Sequence, residues 1–214
     1  MTIFLQILFL LLAYLFGSIP FGFIISKLKG IDIRQIGSHN IGSTNVGRAL
    51  GKRYAVLTFF FDMLKGALFV ILFRYGIINS KYMIIDPSIY GFIAMIGHSF
   101  PIYLKFKGGK AVATGAGFTF AYLPLAIPIG IITFFTVIKI TKISALGSLT
   151  ATLFITISAI ICTIIGIDPI TNVTINWYFA LFATFALILI YVKHIPNIKR
   201  LINKSELTAG RIKK

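Results

Sequence analysis

Carboxylates are scarce in this chain. Its 214 residues hold only five Asp and Glu, at positions 32, 62, 86, 168 and 206, against 21 Lys and Arg. A set so scattered cannot hold a hard divalent cation, and two-metal phosphoryl transfer is excluded with it. There is one cysteine, Cys162, inside an apolar run. It can form no disulfide within the chain and no thiolate metal site, and reads as packing. The three histidines, His39, His98 and His194, are too few and too dispersed for zinc. None opens the His-x4-Asp pair of one acyltransferase class, because Thr44, Tyr103 and Lys199 stand five residues on. A Walker A loop is absent too: Leu104 stands where it needs Gly, and Ala111 where it needs Ser or Thr. Nucleic acid is not an expected partner, since the basic residues are divided among short loops rather than gathered on one domain. No repeat of fixed period is visible, and neither a metal nor a cofactor is expected.

What fills the chain instead is hydrocarbon. Hydrophobic residues make up 57% of it and the mean hydropathy is +0.94. Nearly uncharged runs long enough to cross a bilayer recur. The expected fold is all-α, a polytopic integral membrane protein forming a single membrane-embedded domain over 1–214. The first 26 residues lack a basic start and run too long for a signal peptide, so they read as a retained first span. Spans are expected at about 3–26, 53–74, 83–103, 109–122, 125–139, 144–166 and 173–193. The stretch 109–139 could be one long helix, but Pro124 and Pro128 in "YLPLAIP" predict a break near its middle. Charge decides the count. With seven transmembrane helices and the N-terminus outside, every Lys and Arg except Lys65, Arg74 and Lys81 faces the cytoplasm, the C-terminal tail included. Six spans would send Lys139, Lys142 and the tail outside, against the positive-inside rule.

Four polar stretches interrupt the oil, and this topology puts all four at the cytoplasmic face. In "DIRQIGSHNIGSTNVGRALG", Ser38, Asn40, Ser43, Thr44 and Asn45 supply neutral donors and Arg48 a planar fork suited to phosphate. No acid lies between Asp32 and Asp62 to repel an anion. In "KFKGGK", Lys107 and Lys110 flank Gly108 and Gly109, and successive N–H groups of a glycine turn can form an anion-binding concavity. In "TKISALGSLTA", Ser144 and Ser148 share one helix face. In "YVKHIPNIKRLINKSE", His194 and Asn197 are expected on the last helical turns. Separately, Asp62 and Lys65 in "FFFDMLKG" are placed to pair within the membrane, either as a structural couple or as part of an ion path.

Assembled, these blocks resemble the bacterial acyl-phosphate:glycerol-3-phosphate acyltransferase family, the PlsY type. The carrying residues are "GSIPFGFIISKLKGIDIRQIGSHNIGSTNVGR" at 17–48, "GHSFPIYLKFKGGKAVATGAG" at 97–117, "LGSL" at 146–149 and "HIPNIKRLINKSE" at 194–206. The resemblance implies transfer of a fatty acyl group from acyl phosphate to the 1-hydroxyl of sn-glycerol 3-phosphate, giving lysophosphatidic acid and phosphate. It implies a bacterial plasma membrane, both substrates met at the cytoplasmic face, and a contact with the enzyme that forms acyl phosphate. It assigns Ser38, Arg48, Lys110, His194 and Asn197 to catalysis. Asn40, Thr44, Asn45, Lys107, Gly108, Gly109 and Ser148 are assigned to binding, and Glu206 matches the last block. This chain departs from the family pattern at His39 and Ala111, where glycine is usual, and at Ala145 and Pro196.

An acyl phosphate is an activated anhydride, so proximity and charge stabilisation can carry much of the reaction, together ~7 kcal/mol or more. Lys107, Lys110 and the glycine backbone are expected to hold one phosphate. Arg48, Ser38, Thr44 and Asn45 would hold the other. The acceptor of the hydroxyl proton stays open between a substrate phosphate oxygen and His194, with Glu206 a candidate only if the tail folds back. Two rival classes are a small-anion transporter, suggested by Asp62 and Lys65, and a non-catalytic lipid-binding scaffold. The one-sided polar blocks speak against the first, and the donor density of the first loop against the second.

Overall fold

A computed structural model describes residues 2–78 and 85–210. Lys81, the first residues of the expected third span, and Arg211, Lys213 and Lys214 of the tail lie outside the described residues. The described residues form ten α-helices, with a single isolated β-bridge, Ile167 to Thr174.

Helix α1 (Thr2–Ser18) and α2 (Phe21–Lys27) follow one path, interrupted where Pro20 cannot continue the hydrogen-bond ladder. Two short helices lie in segments read from sequence as loop and as helix end: α3 (Ser43–Leu50) within the first polar stretch, and α10 (Ile195–Ile202) near the C-terminus. The others are α4 (Lys52–Arg74), α5 (Ser88–Ser99), α6 (Val112–Tyr122), α7 (Ala126–Thr141), α8 (Ser144–Ile165) and α9 (Trp177–Lys193). The break between α6 and α7 falls at Leu123–Leu125, on Pro124 as expected. By length and composition, Ile3–Lys27, α4 and α8 can each cross a bilayer; α9 and α10, bent by 54°, pass only when taken together. Helices α5 and α7 are shorter apolar segments.

Lipid tails are as apolar as leucine, so small residues that permit close approach hold such helices together. The α4–α6 contact shows this directly. A Cβ on Gly66 would lie 1.9 Å from the Thr114 carbonyl oxygen, and one on Gly117 would lie 1.8 Å from that of Met63. The two backbones therefore touch, and α6, only eleven residues long, is enclosed by its neighbours. At the far ends of α4 and α6 the Tyr122 ring stacks on Phe179 at 4.2 Å and carries Arg74 on its other side at 3.7 Å. Its hydroxyl donates to Asp86 Oδ2 at 3.0 Å. These contacts tie together α4, α6, α9 and the segment before α5.

Candidate active site

The first polar stretch is shaped by Asn45. Its side-chain amide donates to the carbonyls of Ile33 (3.1 Å), Ile36 (2.8 Å) and Asn40 (2.9 Å), and its Oδ1 accepts from the Ser38 N–H at 3.0 Å. Buried Ile33, Ile41 and Val46 pin the loop from below. With both ends of its amide engaged by backbone, Asn45 acts as the loop's clip, and the expected direct contact with phosphate is revised accordingly. Asn40 Oδ1 likewise accepts from Gly42 N–H at 2.9 Å. Ser38 and Thr44 line the cavity beside this loop.

Arg48, on α3, is buried. Its Nε donates to the Thr208 carbonyl at 3.0 Å, and one terminal nitrogen reaches the Leu207 carbonyl (3.3 Å) and Ser144 Oγ (3.4 Å). The tail therefore does fold back. Glu206 accepts from Asn197 Nδ2 at 2.7 Å and from Arg200 Nε at 2.8 Å. Asn197 Oδ1 in turn accepts from Lys110 Nζ. A carboxylate accepts only and an ammonium donates only, so these two partners set which way the Asn197 amide faces. Burial pushes the Lys110 amine down to about 8, and nearby Arg200, Arg48 and Lys193 add to the lowering against the pull of Glu206. Burial also lowers the Arg48 guanidinium from its usual range.

His194 sits at the joint of α9 and α10, not on a continuous helix with Asn197. Pro196 is tolerated there because the first turn of α10 needs no donor from it. The His194 Nδ1 lies 2.8 Å from the Ile190 carbonyl. A carbonyl can only accept, so Nδ1 carries the hydrogen and Nε2 is the free ring nitrogen. Burial, reinforced by the charge of Lys110, holds the ring down to about 4. It is neutral at pH 7.

These groups share one cavity of about 570 Å³. It runs along α8 from Ser144 to Thr156, about 18 Å of helix. Ser148, Thr152 and Thr156 each donate to the carbonyl four residues back, at 3.0, 2.8 and 3.0 Å, so they offer the cavity lone pairs rather than hydrogens. Side chains of α4 and α7 also line it, among them Phe59 and Phe135, 40% and 63% exposed. The space therefore joins a cationic, amide-lined head to an apolar stretch whose lining reaches the protein surface.

Nine of the expected site residues line it: Ser38, Asn40, Thr44, Asn45, Arg48, Lys110, Ser148, His194 and Asn197. Lys107 is exposed and does not. Gly108 and Gly109 stand behind the wall, pressed on His98. Sequence reasoning missed the tail carbonyls of Leu207 and Thr208, which carry no side-chain signal, and the presence of Asp62 in the lining. Among the described residues no three His, Cys, Asp or Glu side chains gather.

Residues 7–204 match the family described as glycerol-3-phosphate acyltransferase. The chain belongs to that family. A glycerol-3-phosphate acyltransferase of Acholeplasma laidlawii is 41% identical, covering 97% of this chain and 96% of that protein. The enzyme of Enterococcus faecalis is 39% identical with the same coverage. The crystal structure of PlsY, an integral membrane glycerol 3-phosphate acyltransferase, in its glycerol 3-phosphate form aligns with a TM-score of 0.81 at 34% identity over 94% of each chain. Its lysophosphatidic acid form aligns with 0.80 at 33%. This family member is thus an integral membrane glycerol-3-phosphate acyltransferase whose product is lysophosphatidic acid.

Proposed function

We propose that the acyl donor is an acyl phosphate and that both substrates meet in the cavity at the cytoplasmic end of seven membrane-crossing units: α1 with α2, then α4 to α9. The observation that carries this is the joining of two chemistries in one space. Arg48, Lys110, Ser38, Thr44 and Asn197 offer donors and positive charge for phosphate, and the groove between α4 and α7 suits a fatty chain. The basic residues of the first loop, the glycine loop and α10 support the cytoplasmic placement, because the inner leaflet is where such residues accumulate.

In this reading the glycerol 1-hydroxyl oxygen bonds to the acyl carbon, the acyl carbon to phosphate-oxygen bond breaks, and phosphate leaves. Arg48 and Lys110 stabilise the charge that develops on the departing group and on the carbonyl oxygen. The hydroxyl proton passes to a phosphate oxygen. His194, held near 4, is too weak a base to compete at neutral pH, and its Nε2 serves to orient the hydroxyl by accepting from it.

The test uses the purified protein in detergent with labelled glycerol 3-phosphate. Palmitoyl phosphate should yield labelled lysophosphatidic acid, and palmitoyl-CoA should not. Product from the thioester alone would overturn the donor assignment. Near-normal kcat in His194→Gln would agree with phosphate as proton acceptor, whereas loss of the acid limb together with most of kcat would reinstate the histidine.

A further inference from the structure

Beside the cavity head lies a charged pair that the reaction does not use. Asp62 and Lys65, one turn apart on α4, pair at 2.9 Å with side chains 3% and 0% exposed. Lys65 Nζ also donates to the Ile19 carbonyl at 2.9 Å, in the break between α1 and α2. His98, near the end of α5, brings Nδ1 to 3.6 Å from Asp62 Oδ1. That is electrostatic contact, longer than a hydrogen bond. On its other side His98 carries the glycine loop. The Gly109 N–H donates to the His98 carbonyl at 3.0 Å. A Cβ on Gly109 would stand 2.0 Å from His98 Nε2, and one on Gly108 would stand 2.2 Å from the His98 carbonyl oxygen. The next residue is Lys110, whose Nζ meets Asn197.

Buried ion pairs are poor stabilisers. Apolar replacements of similar volume are often neutral or better, and the best attested use of such a pair is to enforce register. Here the register has an object. Gly109 is bare because its backbone rests on the imidazole, and Gly108 because its backbone rests on the His98 carbonyl, so a shift of the ring shifts the loop and the lysine that follows it. We infer that Asp62, Lys65 and His98 form a positioning unit that sets where Lys110 presents its ammonium group. The glycines of this loop are required by contact with His98. The inference rests on the proposed role of Lys110 in holding phosphate.

The test is steady-state kinetics of the full chain with palmitoyl phosphate and glycerol 3-phosphate, on variants that elute and unfold like the parent. His98→Leu fills the same space without facing Asp62 with a donor; His98→Asn keeps a nitrogen near the Nδ1 position. The leucine variant should lose at least ~10-fold in kcat/KM, since small misplacement of a catalytic group can cost ~10²-fold, and the asparagine variant should recover most of it. Equal activity in the two, or full activity in His98→Leu, overturns the unit. If His98→Leu does not fold, a second pair decides. Gly109→Ala should lose more than ~10-fold, and adding His98→Ala should restore it to the level of His98→Ala alone. Losses that simply multiply would mean that the ring does not hold the loop. Lys110→Ala in the same assay keeps the two readings apart. Full activity there removes the phosphate role. Loss there beside full activity in His98→Leu removes only the positioning role.

Discussion

His39 and Ala111 have left-handed backbone, at φ 56° and 57°, and both stand where the family resemblance led us to expect glycine. A side chain in that region costs roughly 1 kcal/mol or more. His39 offsets part of it through Nδ1, 2.9 Å from the Arg34 carbonyl; Ala111 has no such return. Ala111→Gly should therefore raise the thermal midpoint of the detergent-solubilised protein, by the equivalent of about 0.5–1 kcal/mol, while His39→Gly should change it less. Charge gives a second prediction at this scale. Lys110 must be protonated to hold phosphate, and its folded pKa is about 8. The kcat/KM of the free enzyme should fall as pH rises through that value. In Lys110→Arg, which stays charged, the alkaline limb should vanish from whatever activity remains. Arg48→Ala and Lys110→Ala should each cost at least ~10²-fold in kcat/KM. His194 gives a stability prediction of fixed sign. Its folded pKa, about 4, lies below the ordinary 6.5, so the unfolded chain takes up the proton first. Stability should drop as pH falls from about 6.5 towards 4, and His194→Gln should flatten that slope in a thermal-melt series.

Among elements, the segment after α10 acts as a strap. Ala209 N–H donates to the Lys142 carbonyl at 2.8 Å, Thr208 and Leu207 receive Arg48, and Glu206 receives Asn197 and Arg200. Glu206→Gln replaces one of the two accepting oxygens with a donor and removes the charge, so the side chain no longer presents a separate oxygen to each of Asn197 and Arg200, which loosens the Asn197 amide or the link to Arg200. The expected loss is about tenfold in kcat/KM, the scale of one hydrogen bond to a charged group. A fully active Glu206→Gln would show that the strap does not orient Asn197. The α4–α6 crossing supplies a contrasting case in which stability, not chemistry, should suffer. In Gly117→Ala the new methyl meets the Met63 backbone oxygen at 1.8 Å, which no side-chain rotation can relieve. Destabilisation of about 1–3 kcal/mol is expected, read as a lowered melting point with kcat unchanged at low temperature.

For the molecule as a whole, residues far apart in the chain converge on one cavity, and that convergence marks the limit of what was legible. Hydropathy located a helix at each expected span, because a run of twenty apolar residues can satisfy its backbone in lipid only as helix. Pro124 announced the α6–α7 break, because its ring cannot sit in a helix interior, whereas Pro128 is accommodated in the first turn of α7. The donors of the first loop and of the last block were legible as well, since polar residues so dense are out of place in an apolar chain. The bend at His194, the clip made by Asn45 and the exclusion of Lys107 from the cavity were not. Each depends on partners that composition does not name. Arg48 and Thr208, for instance, bond across 160 positions of sequence.

The sequence by itself determined the solvent of this protein, the helical class that this solvent forces on it, and the inventory of cationic and amide groups available for phosphate. Local rules suffice for these, because hydropathy, proline and charge act over a turn or a span. Tertiary structure alone decided which of those groups share a cavity, which way Asn197 and His194 present their atoms, and that a buried acid, lysine and histidine stand behind the glycine loop. Those outcomes follow from helix crossings set by glycine contacts and from a tail that folds back, and no local property of the chain encodes them.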